Sequence, residues 1–284
     1  MIRPRTQLPG QGGGTQSSPG PAQAESPASR PCRTPRAGLL LLLLSLLLLG
    51  CATGSGSENS PPRDIQAHLD LANSYLPEEP RKSLRELLPL QKRAGKIPEY
   101  QFLLGVTYTA LDNCSKATRH LQQAVDLKPD YAEAWNNLGQ AHAACEEYSE
   151  AETAFHKALE LETYLTPEYP AYNLSRLYRE QNEPEKALDF AKQAVDLNWR
   201  YLPAYEQLVD LLQEQGEKQK AVKWLRQAAE AFPDNTELLF RLAENELRLG
   251  NTEQARSWLQ RILEVEPDSS TAQMARDYLD LMQE

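Results

Sequence analysis

Glycine is scarce through most of this 284-residue chain. Nine of its 14 glycines lie at or before Gly56, and only five serve the remaining 228 residues. Phosphate-binding loops and dinucleotide-binding turns need clustered glycines, so residues 57–284 hold neither motif. The same contrast in composition divides the chain into a short N-terminal segment and a long body.

Basic residues, long apolar runs and cysteines are also few in the body. Residues 51–284 hold 25 Lys and Arg against 39 Asp and Glu, because residues 1–50 take five of the 30 basic and one of the 40 acidic residues. Nucleic-acid affinity needs basic side chains that neutralise phosphates, so no nucleic-acid partner is expected. No apolar run in the body approaches the ~18 residues that suggest a membrane span. The four cysteines of the chain are too few for a disulfide scaffold.

The first fifty residues have the composition of a targeting segment. Arg30, Arg33 and Arg36 precede an apolar stretch, 39–49, in which ten of the eleven residues are Leu. This length is typical of a signal peptide and is about half of a membrane-spanning helix. The stretch ends in Leu48-Leu49-Gly50-Cys51, which resembles the bacterial lipobox. That resemblance implies cleavage before Cys51 and its lipidation, and the alternative is an ordinary secretory signal with an incidental cysteine.

The body repeats itself with a period near 34 residues. Units start near 98, 132, 168, 202 and 236, and each contains a Leu-rich step followed by a helical Ala. Small residues at the eighth position of a unit let its two helices approach each other, and they are Gly105, Gly139, Ser175 and Ala243. Left-handed turns are expected after the first helices, at Gly216 and Gly250, with Asp112 and Asn182 in the same slot. Pro129, Pro233 and Pro267 close units because proline cannot continue a helix.

These residues and this period resemble the tetratricopeptide repeat, and the resemblance covers about residues 98–269. It implies an all-α superhelix of helix-turn-helix units. We predict a lipoprotein-type signal peptide with a long n-region over 1–50, a flexible linker over 51–62 and a tetratricopeptide-repeat domain over 63–284. Its units lie near 65–97, 98–131, 132–165, 168–201, 202–235 and 236–269, and a capping helix occupies 270–284. We expect Met274, Tyr278 and Leu281 of that helix to cover the last exposed face.

Residue combinations that carry catalysis or bind metals are not found. The four histidines lie in no metal-ligand spacing, and no Ser/His/Asp or Cys/His arrangement is evident. We therefore expect no enzyme activity, no cofactor, no metal site and no small-molecule substrate.

Cys114 and Cys145 are expected to lie close together. Cys114 falls in the first turn of a second helix, and Cys145 falls at the end of the first helix of the next unit. Neighbouring helices of stacked hairpins run antiparallel, so these two ends meet. An exported location favours a disulfide between them, and two separate buried thiols are the alternative.

The inner, concave face of the repeats is the predicted binding surface. It is lined by the second, fifth, ninth and twelfth residues of each first helix, among them Phe102, Val106, Phe240 and Glu244. The cluster that best suits a peptide consists of Asn136, Asn137, Gln140, Tyr169, Tyr172, Asn173, Arg176 and Arg179. Asn pairs with a peptide backbone, Tyr offers apolar area and Arg anchors interfaces, so we expect a partner segment with apolar and acidic residues. The alternative is that these side chains form ordinary solvated helix faces.

A second resemblance rests on the junction at 164–174, which reads Tyr164-Leu-Thr-Pro-Glu-Tyr-Pro-Ala-Tyr-Asn-Leu174 and adds two residues to the period. With Cys51 and about six repeats, this junction resembles the type IV pilus assembly lipoproteins, the PilF/PilW pilotin family. Trp199 departs from the pattern, because a unit-closing Pro is expected there. The family implies a non-enzymatic scaffold, lipid-anchored to the outer membrane and facing the periplasm, that helps the secretin localise and assemble. The alternative is an adaptor lipoprotein for outer-membrane protein insertion or for cell-wall or exopolysaccharide machinery.

Overall fold

The computed structural model describes residues 61–282, and every regular element in this range is a helix. The first repeat holds α1 (Arg63–Tyr75), α2 (Pro80–Leu87) and α3 (Gln91–Ala94). Five hairpins follow, formed by α4 (Pro98–Ala110) and α5 (Cys114–Leu127), α6 (Ala132–Ala144) and α7 (Tyr148–Glu160), α8 (Glu168–Glu180) and α9 (Pro184–Leu197), α10 (Leu202–Glu214) and α11 (Lys218–Ala231), and α12 (Thr236–Arg248) and α13 (Thr252–Val265). The last helix is α14 (Ser270–Leu281). This stack of hairpins confirms the predicted all-α superhelix.

The two helices of a hairpin cross where their side chains are smallest. A Cβ atom on Gly105 would lie 2.4 Å from Leu121 Cγ, and one on Gly139 would lie 2.6 Å from Phe155 Cδ1. The second helix of every hairpin carries a fully buried Ala, which in the first two hairpins lies one turn before Leu121 and Phe155, and these alanines are Ala117, Ala151, Ala187, Ala221 and Ala255. The predicted small residues Gly105 and Gly139 therefore allow the close approach of the two helices in the first two of these hairpins, whereas α10 carries Val209 at the equivalent position.

Each hairpin turn contains one residue with a left-handed backbone, two positions after the first helix ends. Gly216 and Gly250 have φ of 75° and 79°, and Asp112 and Asn182 have φ of 56° and 58°. These four positions agree with the expectation from the sequence. Glu146 occupies the same slot with φ 60°, and nothing in its residue type indicated that conformation.

The first and last elements differ from the regular unit. After α2, residues Leu88–Leu90 form a 3-10 turn that leads into the four-residue α3, so the second half of this repeat is broken at Pro89. In α14, Ala272 and Ala275 are buried, whereas Met274 and Leu281 are 44% and 69% exposed. The expectation that Met274 and Leu281 cover the last face is therefore wrong.

Tyr278 alone of the three predicted α14 residues packs inward. Its ring meets Phe240 edge-on at 5.3 Å between ring centroids, and its hydroxyl donates to Glu244 Oε1 at 3.1 Å. Ala272 and Ala275 of α14 are part of the core, and Tyr278, Leu279 and Met282 pack against it.

The predicted signal peptide over 1–50, Cys51 and all but the last two residues of the predicted linker over 51–62 lie outside the described residues. Among the helices of residues 61–282, none combines the length and the apolar character that crossing a bilayer requires.

Candidate functional site

A cleft of about 260 Å³ lies between the first helices of three successive repeats. Its lining comes from α4, α6 and α8, together with one ring from α7, and consists of Thr109, Gln140, Ala143, Ala144, Phe155, Asn173, Arg176, Leu177 and Glu180. Three residues of the predicted groove, Gln140, Asn173 and Arg176, meet here. The cleft is the part of the concave face where adjacent repeats leave room for a side chain of a partner.

Arg176 gives the cleft its positive charge. Its side chain is exposed and makes no ion pair within residues 61–282. Glu180 lies one turn further along α8 and lines the same cleft, again without a salt bridge in the described range. The cleft thus holds one cation and one anion that have not neutralised each other, set beside the amides of Gln140 and Asn173.

Asn136 and Asn173 are coupled to each other across the repeat boundary. The Asn173 side-chain amide donates to Asn136 Oδ1 at 3.0 Å, and Asn136 is only 4% exposed. Asn136 therefore positions Asn173 and does not itself face a partner. Asn173, at the cleft wall, keeps its own carbonyl oxygen free of any hydrogen bond among the described residues.

Tyr169 and Tyr172 pack against a third tyrosine from the next repeat. Tyr201 meets Tyr169 edge-on at 5.2 Å between ring centroids and Tyr172 edge-on at 5.5 Å. Burial raises the pKa of Tyr201 to about 12, while the nearby charge of Arg176 acts in the opposite direction. Tyr172 is consequently an inter-repeat contact that is half-buried, and Tyr169 remains 40% exposed at the rim.

Asn137 and Arg179, which were also predicted to line the groove, do not line this cleft and are engaged with other groups. The Asn137 amide donates to the Glu133 carbonyl oxygen of its own helix at 2.7 Å. Arg179 forms an ion pair with Glu214 of α10 and lies 3.5 Å from Gln207 Oε1. Both side chains therefore bond to neighbouring groups of the protein, and their positions in the repeat do not reveal these partners.

Cys114 and Cys145 are joined by a disulfide in the structure, with their Cα atoms 5.6 Å apart. Cys114 opens α5 and Cys145 follows α6, as the antiparallel packing of neighbouring helices requires. A small cavity of about 210 Å³ beside Cys114 shares Thr109 and Ala144 with the cleft. The bridge therefore joins two of the three repeats that line the cleft.

Two lining residues were missed from the predicted groove although the spacing rule contains them. Thr109 and Ala143 are the twelfth residues of their units, and both line the cleft. Glu180, the thirteenth residue of its unit, falls outside the rule. Within residues 61–282 there is also no group of three or more His, Cys, Asp or Glu side chains that could hold a metal ion.

Sequence comparison identifies the repeats. Family models described as the tetratricopeptide repeat match residues 130–198 and 212–277, and a further one described as the TPR repeat matches residues 105–145. A curated relative, the chloroplastic tetratricopeptide repeat domain-containing protein PYG7 of Arabidopsis thaliana, is 41% identical over 56 residues. That match covers 20% of this chain and 19% of the relative. The chain thus spans about a fifth of that protein.

Two solved structures share the architecture over three-quarters of the chain. PilW, a widely conserved type IV pilus biogenesis factor, is 22% identical with a TM-score of 0.57, and 98% of its chain is covered. PilF of Pseudomonas aeruginosa is 17% identical with a TM-score of 0.58, and 97% of its chain is covered. At these identities the likeness establishes a common fold with the predicted family.

Proposed function

We propose that this tetratricopeptide-repeat protein is a non-enzymatic scaffold that binds a protein partner in the cleft around Arg176 and assists secretin assembly for a type IV pilus. The repeat architecture supports the scaffold role, and the fold shared with PilW and PilF favours the pilus system. The finer part of the proposal adds a lipid anchor at Cys51 and a location at the outer membrane, facing the periplasm.

The single observation that carries the binding site is the unpaired guanidinium of Arg176 between two repeats. In a body with 39 acidic and 25 basic residues, an exposed arginine without a carboxylate partner is available to an acidic group from outside. The Asn173 carbonyl beside it accepts a backbone N–H, and Gln140 supplies a donor and an acceptor from the neighbouring repeat. These groups suit an extended segment with one carboxylate and a small apolar residue.

The apolar part of the cleft comes from Phe155, Leu177 and the alanines of α6. Its volume of about 260 Å³ accommodates one or two side chains and no folded domain. The partner is therefore expected to insert a short segment, with the remaining contacts made outside the cleft.

The experiment compares partner binding by two charge reversals. Arg176→Glu removes the anchor for the acidic group, while Arg119→Glu makes the same charge change at an exposed position on α5. A hydrogen bond to a charged group contributes about 1.5–3 kcal/mol, so Arg176→Glu is expected to weaken the purified secretin's binding roughly tenfold to hundredfold. Arg119→Glu is expected to change it less than about twofold.

The affinity of the parent chain and of both variants for the secretin is measured by biolayer interferometry, and their folding is checked by circular dichroism. If both variants bind the secretin as the parent chain does, the cleft is not the binding site. If the parent chain fails to bind a secretin but binds an outer-membrane insertion component, the pilus assignment is wrong and the scaffold role stands.

A further inference from the structure

Two consecutive junctions between repeats carry apolar side chains where the other junctions carry proline. The third residue before each following helix, from α6 onward, is Pro129, Leu165, Trp199, Pro233 and Pro267. The residue after it is Asp130, Thr166, Arg200, Asp234 and Asp268. The ordinary Pro-Asp closure is thus replaced by Leu-Thr and Trp-Arg in the middle of the array, where both an acid and a proline are lost.

These replacements expose apolar area. Leu165 is 89% exposed and Trp199 is 58% exposed, so neither residue serves the core of the repeats. The Arg200 guanidinium lies 5.1 Å from the Trp199 ring and makes no ion pair within residues 61–282. Tyr169, 40% exposed, lies four residues after Leu165, and its ring meets that of Tyr201, the residue after Arg200. We refer to Leu165, Tyr169, Trp199 and Arg200 as the central-junction patch.

The two junctions are fastened to each other. The Asn198 side-chain amide donates to Glu168 Oε1 at 2.7 Å, and its Oδ1 accepts from the Arg200 backbone N–H at 3.0 Å. The Tyr169 ring meets the Tyr201 ring at 5.2 Å. Because Glu168 is only 5% exposed, this link is shielded from water, and it holds together the two junctions that carry Leu165 and Trp199.

The patch lies at the same edge of the array by which the chain enters it. First helices contact one another in the order α1, α4, α6, α8 and α10, and each second helix returns the chain to the starting edge. Arg63, which begins α1, therefore shares that edge with the starts of α8 and α10. The twelve residues from Cys51 to Pro62 span at most about 40 Å, so a lipid on Cys51 would limit the distance from Arg63 to the bilayer to about that length.

We propose that the central-junction patch rests on the lipid headgroups of the membrane that anchors the chain. This inference rests on the anchorage that forms part of the proposed function. Trp and Tyr prefer the interface, because an apolar ring and a polar tip are both accommodated there. Leu165 adds apolar area, and Arg200 offers a planar donor pair to a lipid phosphate while its stem covers the ring.

The neighbouring junctions limit this contact to the middle of the array. Asp130 and Asp234 stand at the positions equivalent to Thr166 and Arg200, and both are exposed. The Asp130 carboxylate opposes approach to anionic headgroups, and Asp234 does so less because Arg261 lies 3.5 Å from it. The central junctions carry Thr166 and Arg200 at this position, and their nearest preceding exposed carboxylates, Glu162 and Asp196, lie three residues before Leu165 and Trp199. This distribution of residues is the one expected if only the two central junctions contact the lipid surface.

The test uses the full chain, purified from membranes of the bacterium that produces it and reconstituted into vesicles. The vesicles contain phosphatidylethanolamine and phosphatidylglycerol at about three to one, with and without brominated acyl chains that quench nearby tryptophan. Trp199→Phe removes the patch tryptophan, and Trp258→Phe is the matched control because Trp258 is partly buried against the core. We expect bromine quenching to fall at least twofold in Trp199→Phe and to stay unchanged in Trp258→Phe.

Flotation of the vesicles separates the two proposals. A chain that floats, with equal quenching in Trp199→Phe and the parent, overturns the membrane contact and leaves the anchor intact. A chain that does not float overturns the anchorage, and the membrane contact with it.

A second variant controls for misfolding and tests whether the central-junction patch contacts a protein instead of lipid. Leu165→Asn alters an 89% exposed side chain, so folding is retained, and it is expected to reduce quenching of Trp199. If Leu165→Asn and Trp199→Phe instead weaken secretin binding and leave quenching unchanged, the patch is a protein contact and the lipid assignment is wrong.

Discussion

Gly139 fixes the distance between α6 and α7, and its missing side chain makes room for the Phe155 ring. A Cβ atom there would lie 2.6 Å from two ring carbons, and Phe155 is 2% exposed, so the ring has little freedom to withdraw. Overpacking of this kind costs about 1–3 kcal/mol, and the better helix propensity of Ala returns up to about 1 kcal/mol. We expect Gly139→Ala to destabilise the fold by about 1–2 kcal/mol in urea unfolding.

The cause is checked by shrinking the ring. Phe155→Leu leaves space at the crossing, so Gly139→Ala added to Phe155→Leu is expected to cost less than it does in the parent chain. A loss of equal size in the two backgrounds would show that another contact is responsible.

Glu146 holds a strained backbone that the sequence did not indicate. Its φ of 60° places it in the left-handed region, which costs a non-glycine residue about 1–2 kcal/mol. Glycine removes that strain but gives the unfolded chain more freedom, at a cost of about 0.5–1 kcal/mol. We expect Glu146→Gly to stabilise the protein by up to about 1 kcal/mol in thermal or urea unfolding.

A second glycine in the same region serves as its control. Glu150 is an exposed residue within α7, so Glu150→Gly should destabilise by about 1 kcal/mol. Equal effects of the two substitutions would mean that the left-handed conformation contributes nothing to the measured stability.

The helices were predictable from the sequence because the same spacing of residue types recurs in each repeat and fixes where its helices begin and end. The predicted unit starts at 98, 132, 168, 202 and 236 are the first residues of α4, α6, α8, α10 and α12, respectively. The buried face of α14 was not predictable in this way. In this helix, which packs against α13, Ala272 and Ala275 are the buried residues, whereas spacing alone favoured Met274.

The lining of the cleft was predictable from the sequence only at the level of the helix face. Position in the repeat brought Gln140, Asn173 and Arg176 to one cleft. It did not determine which polar side chains pair with one another, because that depends on rotamers and on the twist between repeats. Asn136 accepts a hydrogen bond from Asn173, and Arg179 forms an ion pair with Glu214. The residue pattern of a single repeat does not predict either interaction.

The disulfide between α5 and α6 is the covalent link between adjacent repeats, and it spans 31 positions of the sequence. Closing such a loop restricts the unfolded chain and stabilises the fold by roughly 3–4 kcal/mol in the chain-entropy model. We expect Cys114→Ser with Cys145→Ser to lower the urea midpoint accordingly.

Mass spectrometry of the native protein checks the bond itself. Peptides containing Cys114 and Cys145 should appear linked and should gain two hydrogens on reduction. Labelling of both thiols in the unreduced, unfolded protein would contradict the bond, and the double variant would then retain the parent stability.

At the scale of the whole molecule, each repeat contacts only its neighbours, so the array behaves as a nearly one-dimensional stack. The cleft needs three successive first helices, from α4 to α8, and it therefore disappears when any one of those repeats opens. The disulfide secures two of the three. Partner binding should consequently protect the amides of α4, α6 and α8 from hydrogen exchange more than those of α12 and α13.

The attachment to a membrane that we propose requires Cys51, which lies outside the described residues. The Leu-rich stretch that ends in Leu49-Gly50-Cys51 leads us to expect cleavage before Cys51 and acylation of its sulfur. One acyl chain holds a protein only reversibly, whereas two or more hold it firmly. We expect Cys51→Ala to block processing or to release the protein from the membrane fraction, as measured by fractionation and by the mass of the mature N-terminus.

Cys32→Ala, in the segment that would be removed, is the matched control and should leave both measurements unchanged. A mature protein whose N-terminus is any residue other than a blocked Cys51 would contradict the anchor, and it would leave the cleft around Arg176 as a binding site in a chain that reaches its partner without lipid.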